Sequence, residues 1–547
     1  MGLALPRFRW KRRDPRPPAS ILQPYARPGY WQRHRRMGMT ILGFFAFFYG
    51  AFFGITTIYF LVQLAVPLVL LALLVIWLLP ETGKAPVRAM EWLFFAFLFA
   101  LLLWPNYLAL ALPGLPWITA VRLFVIPLAV VFLISLSQSA SFRAELKTIL
   151  DACPLVWKMA AAFTMVAVFS CIISIEPTVS LRGLVIILLN WTLVFFVAAY
   201  VLAKDGRMEK FVHIICFAAF FVCLIAVWEA RIGAVPWAGH IPSFLKIDDP
   251  IILSILAGAT RGDYRVQSKF TTPLSLAEFT SCALPFVFFV MVYGKRTIFR
   301  IMAFVTVPLV FYVVFKTDAR LGIIGCIIAI VLFPALYGLN KLKSDKSSLL
   351  APAIVLGIPA AGFMFFLSTF FIGRIGKMVW GSGEQVYSTD ARYDQVNQGI
   401  PKILSHPWGY GLDKGAEVLN YRLQNGFLTI DSYYLCLALD LGVIGLVTFV
   451  CMLFGTIYVL LNALLRAEKL DRDLTMIGAV LIVLTQFAII KLVLAQVETH
   501  AYFFAVLGGA VALAYRHSVA KQAQPAPQLP VEKTVRMPRK LPHPALR

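Results

Sequence analysis

Four short stretches of this sequence place arginine or aspartate side chains beside long apolar segments. Arg265 stands in YRVQSKFTTPLSLAEF, Arg320 in FKTDARLGIIG and Arg392 in STDARYDQVNQGIPKILSHPWGYGL. Asp431 opens the fourth stretch, DSYYLCLALDLGVIGL, whose apolar run is interrupted by Asp440. A guanidinium group binds phosphate oxygens in pairs and stays charged beside a membrane. A carboxylate near such cations remains ionised and can take a proton from an attacking hydroxyl, an effect of about 10²–10⁴ in rate. These residue types therefore suit an anionic, lipid-borne substrate.

Each of these residues also has a structural interpretation, and the residues alone leave both open. Arginines at membrane boundaries commonly extend to lipid phosphates. Asp431 can cap the helix that follows it, and Asp440 can pair with an arginine or mark a helix kink. The same choice holds for other polar residues near the predicted outer ends of the spans: Arg261 and Lys269, Asp318, Arg182 as an interfacial anchor, His406 as a loop residue, and Lys491 with His500 as cavity-lining residues or as partners of each other. The functional interpretation is favoured because several cations and a carboxylate fall on one predicted face.

The elements that must position these residues are membrane-spanning helices. Of the 547 residues, 60% are hydrophobic and 14% are charged, whereas soluble domains carry about 25% charged residues. Apolar stretches of about 18 or more residues predict transmembrane helices. We therefore predict an all-α polytopic integral membrane protein with about 12–14 transmembrane helices. The candidate spans are 41–57, 61–79, 91–112, 119–137, 157–175, 181–203, 211–230, 273–293, 300–315, 320–338, 350–372, 432–464, 474–495 and 499–515.

Two apolar stretches exceed the length of one span. Residues 41–79 would make about 60 Å of helix, twice the thickness of a bilayer core, so we divide them into two spans. For 432–464 we predict a short membrane-surface helix that turns into a longer one.

The net charge of +23 follows the predicted topology. With a cytoplasmic N-terminus, the short inner loops are basic, as in KDGRMEK, GKRTIFR and RAEKLDR, and most of the 50 Lys and Arg residues fall on the inner side. This asymmetry is the positive-inside pattern, so the charge indicates topology and contact with anionic lipid rather than nucleic-acid binding. We expect both termini in the cytoplasm and no signal peptide, because about forty basic, Pro-rich residues precede the first apolar run.

Outside the spans, the sequence predicts two tails and two long outer loops. Residues 1–39 and 516–547 are basic and Pro-rich, and we predict disordered cytoplasmic tails on either side of a transmembrane domain at 40–515. The outer loops 231–272 and 373–431 interleave Gly, Pro, aromatic and charged residues, which indicates ordered structure.

The second outer loop is predicted to contain an amphipathic helix. Asp390 is the candidate N-cap, and Arg392 then lies in the first turn. Pro401 should kink this helix. A Gly-rich turn at 406–411 follows and leads towards Asp431.

At these residues the sequence resembles the O-antigen ligase and Wzy-type polysaccharide polymerase superfamily. Its members are polytopic inner-membrane glycosyltransferases that move a glycan from undecaprenyl pyrophosphate to an acceptor hydroxyl at the periplasmic face. Five pieces match the family in order, and together they span about half of the chain, from Ser174 to Leu446. They are SIEPTVSLRGL, YRVQSKFTTPLSLAEF, KTDARLGIIG, ARYDQVNQGIPKILSHPWGYGL and DSYYLCLALDLGVIGL. The resemblance implies a GT-C-like helical architecture with a large periplasmic loop.

Carried over by position, the resemblance implies roles for individual residues. Arg265, Arg320 and Arg392 would bind pyrophosphate, and Arg320 would also be catalytic. Asp431 falls where ligases carry the histidine proposed as the catalytic base, and Ser432 replaces an asparagine of the family.

A second set of residues is predicted to contact sugar. The outer loop 373–431 would cover the cavity as a lid, and aromatic rings near it would stack on sugar rings. The expected sugar contacts are Tyr393, His406, Trp408, Tyr433 and Asp440, the last in place of a family glutamate.

The His-to-Asp replacement at Asp431 bears on the function. A ligase would be expected to keep the histidine, so we expect an inverting polysaccharide polymerase in exopolysaccharide or O-antigen biosynthesis. The alternative within the same chemistry is an O-antigen ligase that attaches finished glycan to lipid A core or to protein. The alternative from another class is a lipid-linked oligosaccharide flippase, which would have short loops on both faces and charges buried mid-span.

The resemblance also implies the partners, cofactors and location. The expected partners are the lipid-linked oligosaccharide and membrane lipid, with a chain-length regulator as a further candidate, and no nucleic acid. No cofactor or metal is expected: the eight cysteines form no CxxC pair and no GxxxxGK[ST] motif occurs. We expect a multi-pass protein of the bacterial inner membrane with its active site facing the periplasm.

Overall fold

The computed structural model describes residues 60–79, 84–111, 118–247, 264–344, 384–422, 428–467 and 472–523, with isolated residues in 40–44 and 352–373. The predictions for Arg261, for most of the spans 41–57 and 350–372 and for the tail residues 1–39 and 524–547 lie outside the described residues.

The described elements are predominantly helical. The chain divides into two compact units, Met1–Leu79 and Pro80–Arg547, and α1 (Phe60–Leu78) belongs to the first. A π-helical turn, Ile187–Thr192, joins the helices Pro177–Ile186 and Leu193–Leu202. The helices of the second unit are α2 (Val87–Leu103), α3 (Ala120–Gln138), α4 (Ala140–Leu150), α5 (Pro154–Ile172), α6 (Pro177–Ile186), α7 (Leu193–Leu202), α8 (Arg207–Ile232), α9 (Pro273–Tyr293), α10 (Thr297–Thr317), α11 (Arg320–Ser344), α12 (Glu384–Ser405), α13 (Gly415–Leu419), α14 (Tyr433–Arg466), α15 (Arg472–Ile490) and α16 (His500–Ala523).

Within the described part, ten helices are long and apolar enough to cross a membrane, with α6 and α7 forming one of them. The prediction of an all-α polytopic membrane protein is therefore confirmed. α9 occupies the predicted span 273–293, and α11 begins at the predicted residue 320. α2 ends earlier than the predicted span 91–112, because Trp104 leaves the helix just before Pro105. α16 continues to Ala523, past the predicted start of the C-terminal tail at 516.

The bundle of the second unit has a buried centre and an apolar periphery. The apolar stretches of α9 and α15 are 83% buried, whereas those of α3, α5 and α10 are only 28% buried. α9 packs against α10, α11 and α15, while α5 packs on α14 and α7 on α16. The peripheral helices expose large apolar side chains such as Ile172, Ile298 and Phe304. An outward-facing apolar surface of this kind suits surrounding lipid, because each helix satisfies its own backbone hydrogen bonds.

Ion pairs hold the predicted inner loops together on one face. Glu209, at the start of α8, lies 2.6 Å from Arg472 at the start of α15 and 3.6 Å from Lys295 before α10. Arg516, near the end of α16, lies 3.3 Å from Asp473. Loops that the charge pattern assigns to one side of the membrane therefore meet in the structure.

The opposite ends of the same helices form a second face, which we call the outer face. A small antiparallel sheet lies there, with β1 (Ala109–Leu110) between β2 (Ile118–Thr119) and β3 (Leu245–Lys246). The indole N–H of Trp237 donates to the hydroxyl of Tyr107 at 2.8 Å. The described part of the first outer loop is thus packed against the segment that follows α2.

Two helix starts differ from the structural interpretations offered by the sequence. α12 begins at Glu384, so Asp390 lies inside the helix and is not its N-cap. Nothing in the preceding residues EQVYST opposes a helix, so the helix extends back past the aspartate. The N-cap of α14 is Ser432, whose hydroxyl accepts a hydrogen bond from the N–H of Leu435 at 3.4 Å. Asp431 is therefore not the cap, and its carboxylate is available for other contacts.

α14 changes direction at Gly442, where φ is 71° and ψ is −173°. This break confirms the predicted short helix that turns into a longer one. Of the two structural interpretations of Asp440, the structure agrees with a residue that marks a helix kink, because Asp440 stands two residues before Gly442. The residues before Gly442 form the short segment, and the long segment continues to Arg466.

The turn after α12 fits into this kink. The N–H groups of Tyr410 and Gly411 donate to the carbonyls of Leu439 and Asp440, at 2.9 and 3.0 Å, and the N–H of Val443 donates to the carbonyl of Pro407 at 2.9 Å. Backbone groups released by the kink are thereby paired, as an apolar surrounding requires. The approach is so close that a Cβ added to Gly409 would lie 2.5 Å from the carbonyl oxygen of Asp440.

Candidate active site on the outer face

A buried glutamate shapes the segment that carries Arg265. Glu229, in the last turn of α8, has no exposed surface. Its carboxylate accepts hydrogen bonds from the hydroxyl of Tyr264 at 2.7 Å, from the N–H of Gln267 at 3.0 Å and from the N–H of Ser268 at 2.6 Å. We call residues 264–270 the Arg265 loop. Because two backbone donors and one hydroxyl share a single carboxylate, the loop is held in one conformation.

The Arg265 side chain reaches the end of α10. Its Nε donates to the carbonyl of Thr317 at 2.8 Å, and the N–H of Val266 donates to the carbonyl of Lys316 at 3.4 Å. A cation at a helix C-terminus is stabilised by the unpaired carbonyls there. Burial lowers the pKa of Arg265, and the nearby carboxylate of Asp318 acts against that effect.

Arg320 stands beside Asp318, at the first residue of α11. Asp318 adopts the left-handed conformation, with φ of 50°, and so turns the chain sharply from α10 into α11. Arg320 interacts electrostatically with Asp318 and with Arg392 of α12. Two guanidinium groups from distant parts of the sequence therefore act on each other electrostatically, and the N-terminal end of α11 adds further positive potential.

Arg392 in turn faces Asp431. The distance from Arg392 Nε to Asp431 Oδ2 is 3.4 Å, and both side chains remain partly exposed, at 37% and 28%. One turn further along α12, the side-chain oxygen of Gln395 accepts the backbone N–H of Asp431 at 2.9 Å. Burial raises the pKa of Asp431, while the charge of Arg392 acts to lower it. α12 thus binds both the side chain and the backbone of this aspartate.

Electrostatic interactions and one ion pair link five charged residues in a series, which we call the arginine cluster: Arg265, Asp318, Arg320, Arg392 and Asp431. The loops and helices that supply them are separated by up to 166 positions along the chain (431 minus 265). Three cations and two carboxylates meet on the outer face, close to where the spans end. Such a cluster can bind a doubly charged phosphate group and present a carboxylate to a hydroxyl.

Two of the predicted sugar contacts are buried. Tyr433 is 3% exposed, with its ring against Phe449 and His500 at centroid distances of 5.3 and 4.5 Å. Asp440 is 7% exposed, and its Oδ1 accepts the backbone N–H groups of Lys414 and Gly415. Its carboxylate therefore holds the turn after α12 in the kink of α14. These contacts give both residues structural roles, and their contact with sugar stays a prediction.

The other three predicted sugar contacts are exposed. His406 Nδ1 lies 2.8 Å from the Tyr410 hydroxyl. Tyr393 and Trp408 are 68% and 59% exposed. Nothing in the structure joins these three residues to the arginine cluster by a described hydrogen bond or ion pair, so their contact with sugar stays a prediction.

One interpretation from the sequence was that Lys491 and His500 are hydrogen-bond partners of each other. In the structure they form no such bond. Both are fully buried. The Lys491 ammonium lies 2.9 Å from Glu278 Oε1, and the backbone carbonyl of Lys491 accepts the N–H of Tyr433 at 3.0 Å. The His500 ring packs against Trp191, with 4.9 Å between centroids. The ion pair between α9 and the end of α15 therefore supports the start of α14, directly after Asp431.

Two supporting residues were missed from the sequence. Glu229 lies in the apolar run that ends VWEARIG, and an acidic residue inside a predicted span is a signal that could have singled it out. Gln395 gives no such signal, because its contact with Asp431 exists only once α12 packs beside α14. Lys269, which the sequence grouped with Arg265, donates instead to the carbonyl of Leu101 at 2.7 Å and is 2% exposed.

Among the described residues, no group of three or more His, Cys, Asp and Glu side chains is placed to hold a metal ion. The arginine cluster has two carboxylates separated by cations, a set of groups suited to an anion rather than to a metal. The prediction of a metal-independent reaction stays a prediction.

Comparison with known proteins identifies the part of the chain that contains most of this cluster. Residues 305–450 match the family described as O-antigen ligase (Wzy_C). This segment includes Asp318, Arg320, Arg392 and Asp431, while Arg265 precedes it. No curated protein matches the chain. The match confirms the resemblance found in the sequence: residues 305–450 are similar to the O-antigen ligase family.

Proposed function

We propose that this protein is a polysaccharide polymerase, which transfers a glycan from undecaprenyl pyrophosphate to a hydroxyl of an acceptor sugar. The family match supports a ligase-like or polymerase-like glycosyltransferase. The observation that carries the proposed chemistry is the arginine cluster, in which three guanidinium groups and Asp431 lie at the outer ends of the spans. Such an arrangement suits a substrate whose pyrophosphate lies at the membrane surface. The preference for a polymerase rests on Asp431, which stands where ligases are expected to keep a histidine.

In the proposed reaction, the acceptor hydroxyl oxygen forms a bond to the anomeric carbon of the donor sugar. The bond from that carbon to the pyrophosphate oxygen breaks, and the leaving group keeps the electron pair. Arg265, Arg320 and Arg392 stabilise the negative charge that develops on the leaving oxygens, which is usually the largest catalytic contribution. Displacement by direct attack inverts the configuration at the anomeric carbon.

Asp431 receives the proton of the attacking hydroxyl. Burial raises the pKa of its carboxyl group, which makes the carboxylate a stronger base than one in water. The contacts of Arg392 and Gln395 fix the position of this carboxylate. The energy for transfer comes from the lipid pyrophosphate bond.

The topology proposed from the charge pattern puts the arginine cluster in the periplasm. The ion-paired face with Glu209 and Arg472 would then be cytoplasmic, together with both termini. We propose the bacterial inner membrane as the location, with the lipid-linked oligosaccharide as substrate.

Arg320→Ala and Arg392→Ala test this proposal. In cells that make the polymer, each variant should shorten or abolish it and accumulate lipid-linked repeat units, because the leaving pyrophosphate loses a charge partner. Arg231→Ala is the matched control, since Arg231 is an exposed arginine at the same end of the bundle. Normal polymer length in both variants would contradict the proposal.

The family description itself favours a second candidate, an O-antigen ligase. Such an enzyme would use the same cluster but would attach a finished glycan to lipid A core or to protein. The same two variants separate the candidates. A ligase variant would leave full-length, unattached polymer on its lipid carrier, whereas a polymerase variant would leave single repeat units.

A further inference from the structure

The exposed surface of α12 carries an apolar stripe with no protein partner among the described residues. Tyr393, Val396, Ile400 and Leu404 are each between 38% and 74% exposed. Their spacing of three, four and four residues places them within about 80° of arc at 3.6 residues per turn. Large apolar side chains aligned on one exposed face usually mark an interaction surface.

The rest of the α12 circumference is divided between protein and water. One side is buried: Gln395 contacts Asp431, Gly399 contacts Leu435, and Ile403 packs with the residues around Leu435. The opposite side is polar and exposed, and it consists of Asp390, Asp394, Asn397 and Gln398. The apolar stripe lies between the buried side and the polar side. A helix lying flat at a bilayer surface, against a membrane protein, needs these three sides in this order.

The stripe continues into surface that already faces lipid. Trp408 follows the end of α12, is 59% exposed and sits at the kink of α14, where Pro407 accepts the N–H of Val443. Val443, Ile444 and Val447 are exposed on the membrane-spanning segment that begins there. Tryptophan is enriched at the level of lipid head groups, where its ring is partly in the apolar region and its N–H is in contact with water.

We propose that α12 lies in the outer leaflet of the membrane, with the side chains of Tyr393, Val396, Ile400 and Leu404 in contact with lipid acyl chains. The occupant of the stripe is bulk membrane lipid. Tyr393 and Trp408 then serve as interfacial anchors and not as stacking surfaces for sugar. The second outer loop is, through this helix, a membrane-bound element and not a lid that moves freely in water.

One consequence concerns the arginine cluster and rests on the proposed function. Arg392 directly precedes Tyr393 on α12 and lies on the protein-facing side. A helix held flat in the leaflet keeps this guanidinium at the depth of lipid phosphates, where the pyrophosphate of a lipid-linked donor must lie. Membrane contact would therefore fix the depth of the Arg392 guanidinium group in the membrane relative to the pyrophosphate of its substrate.

Spin labels on the full-length protein in vesicles of phosphatidylethanolamine and phosphatidylglycerol test the proposal. Ile400→Cys and Leu404→Cys report on the stripe, and Asp394→Cys and Gln398→Cys are matched controls on the polar side. Wild-type protein, labelled in parallel, corrects for its eight native cysteines. Oxygen concentrates in lipid, so we expect it to relax the spin labels at positions 400 and 404 more strongly than a water-soluble nickel chelate does. A water-soluble nickel chelate should dominate at 394 and 398.

Two results would overturn the proposal. Greater access of the nickel chelate to positions 400 and 404 would mean that the stripe faces water and is available to sugar. Protection of 400 and 404 from both reagents would mean that protein covers the stripe, either a second copy or another part of the chain. The spin-label measurement needs no transfer activity. The proposal of membrane contact can therefore fail while the Arg320 and Arg392 variants still support the proposed function, and the proposed function can fail while membrane contact is supported.

Discussion

Arg392 and Asp431 stand 39 positions apart in the sequence (431 minus 392), yet Arg392 Nε lies 3.4 Å from Asp431 Oδ2 across the gap between α12 and the start of α14. The same helix binds the backbone of Asp431 through Gln395. The position of the proposed base is thus determined by α12. This relation makes the aspartate sensitive both to its own substitution and to changes in the helix beside it.

Asp431→Asn should remove the proposed base. We expect the transfer rate to fall by about 10²–10⁴, because an amide cannot accept the proton of the attacking hydroxyl. The measurement is transfer from a lipid-linked donor by purified protein in vesicles, with donor binding recorded separately. Asp394→Asn, on the exposed side of α12, is the control and should change neither quantity. A transfer rate for Asp431→Asn within twofold of wild type would exclude a role as base.

Glu229→Ala should act on the substrate site through the Arg265 loop. It leaves the N–H groups of Gln267 and Ser268 without their acceptor, at a cost of about 1–3 kcal/mol for each unsatisfied group. We expect a lower melting temperature and a raised KM for the donor, since Arg265 would no longer be held against Thr317.

Glu145→Ala is the matched control for this positioning role. Glu145 also accepts a hydrogen bond in the bundle, from the hydroxyl of Tyr200 at 2.7 Å, but it lies on α4, which follows the inner end of α3, opposite the outer face. Its removal should lower the melting temperature and leave KM unchanged. Equal KM values for the Glu229 and Glu145 variants would reduce Glu229 to a purely structural residue.

Gly442→Ala should destabilise the junction between α14 and the turn after α12. With a φ of 71° and a ψ of −173°, Gly442 adopts a conformation that is essentially restricted to glycine and costs another residue about 1–3 kcal/mol. A Cβ would in addition lie against the carbonyl oxygen of Pro407. Gly206→Ala is the control for a positive φ in open space, because Gly206 has a φ of 73° and a ψ of −9° and nothing lies within 4 Å of a Cβ there. Thermal unfolding in detergent should therefore show a larger loss for Gly442→Ala, and equal losses would mean that the close approach is unimportant.

The stability of the protein should depend on pH through Lys269. Burial lowers the pKa of this lysine from its usual 10.5 to about 8. Between these values the unfolded chain binds more protons than the folded one, so stability should rise as pH increases from about 8 towards 10.5, by an amount on the order of 3 kcal/mol. Below about pH 8 both forms are protonated and the dependence ends.

Lys269→Met should abolish this dependence. The melting temperature of wild type relative to the variant should increase between pH 7.5 and pH 9.5. The variant also loses the hydrogen bond to Leu101, which shifts the difference by a constant amount. Lys246→Met, in which an exposed lysine is replaced, serves as the control. A wild-type advantage that stays constant or falls with pH would contradict the assignment of a buried, easily deprotonated Lys269.

The apolar lengths in the sequence determined the membrane class, the existence of most spans and the two loops of the outer face. They suffice because a helix that crosses a bilayer must satisfy its own backbone hydrogen bonds and be predominantly apolar over its length, both of which are local properties. The cluster residues could likewise be singled out, since Arg265, Arg320 and Asp431 each stand shortly before an apolar run and Arg392 stands in the second outer loop. Length alone predicted that 432–464 is divided into a short and a long helix, whereas the structure placed the break at Gly442.

Only the tertiary structure decided which of those polar residues meet. Asp431 and Asp440 look alike in the sequence, yet one faces Arg392 and the other holds the backbone of Lys414 and Gly415. Glu229 and Gln395 acquire their roles solely through contacts between distant segments. The physical reason is that hydrogen bonds and ion pairs act over a few ångströms, so their partners are set by how helices pack, whereas hydrophobic length is recorded in each helix separately.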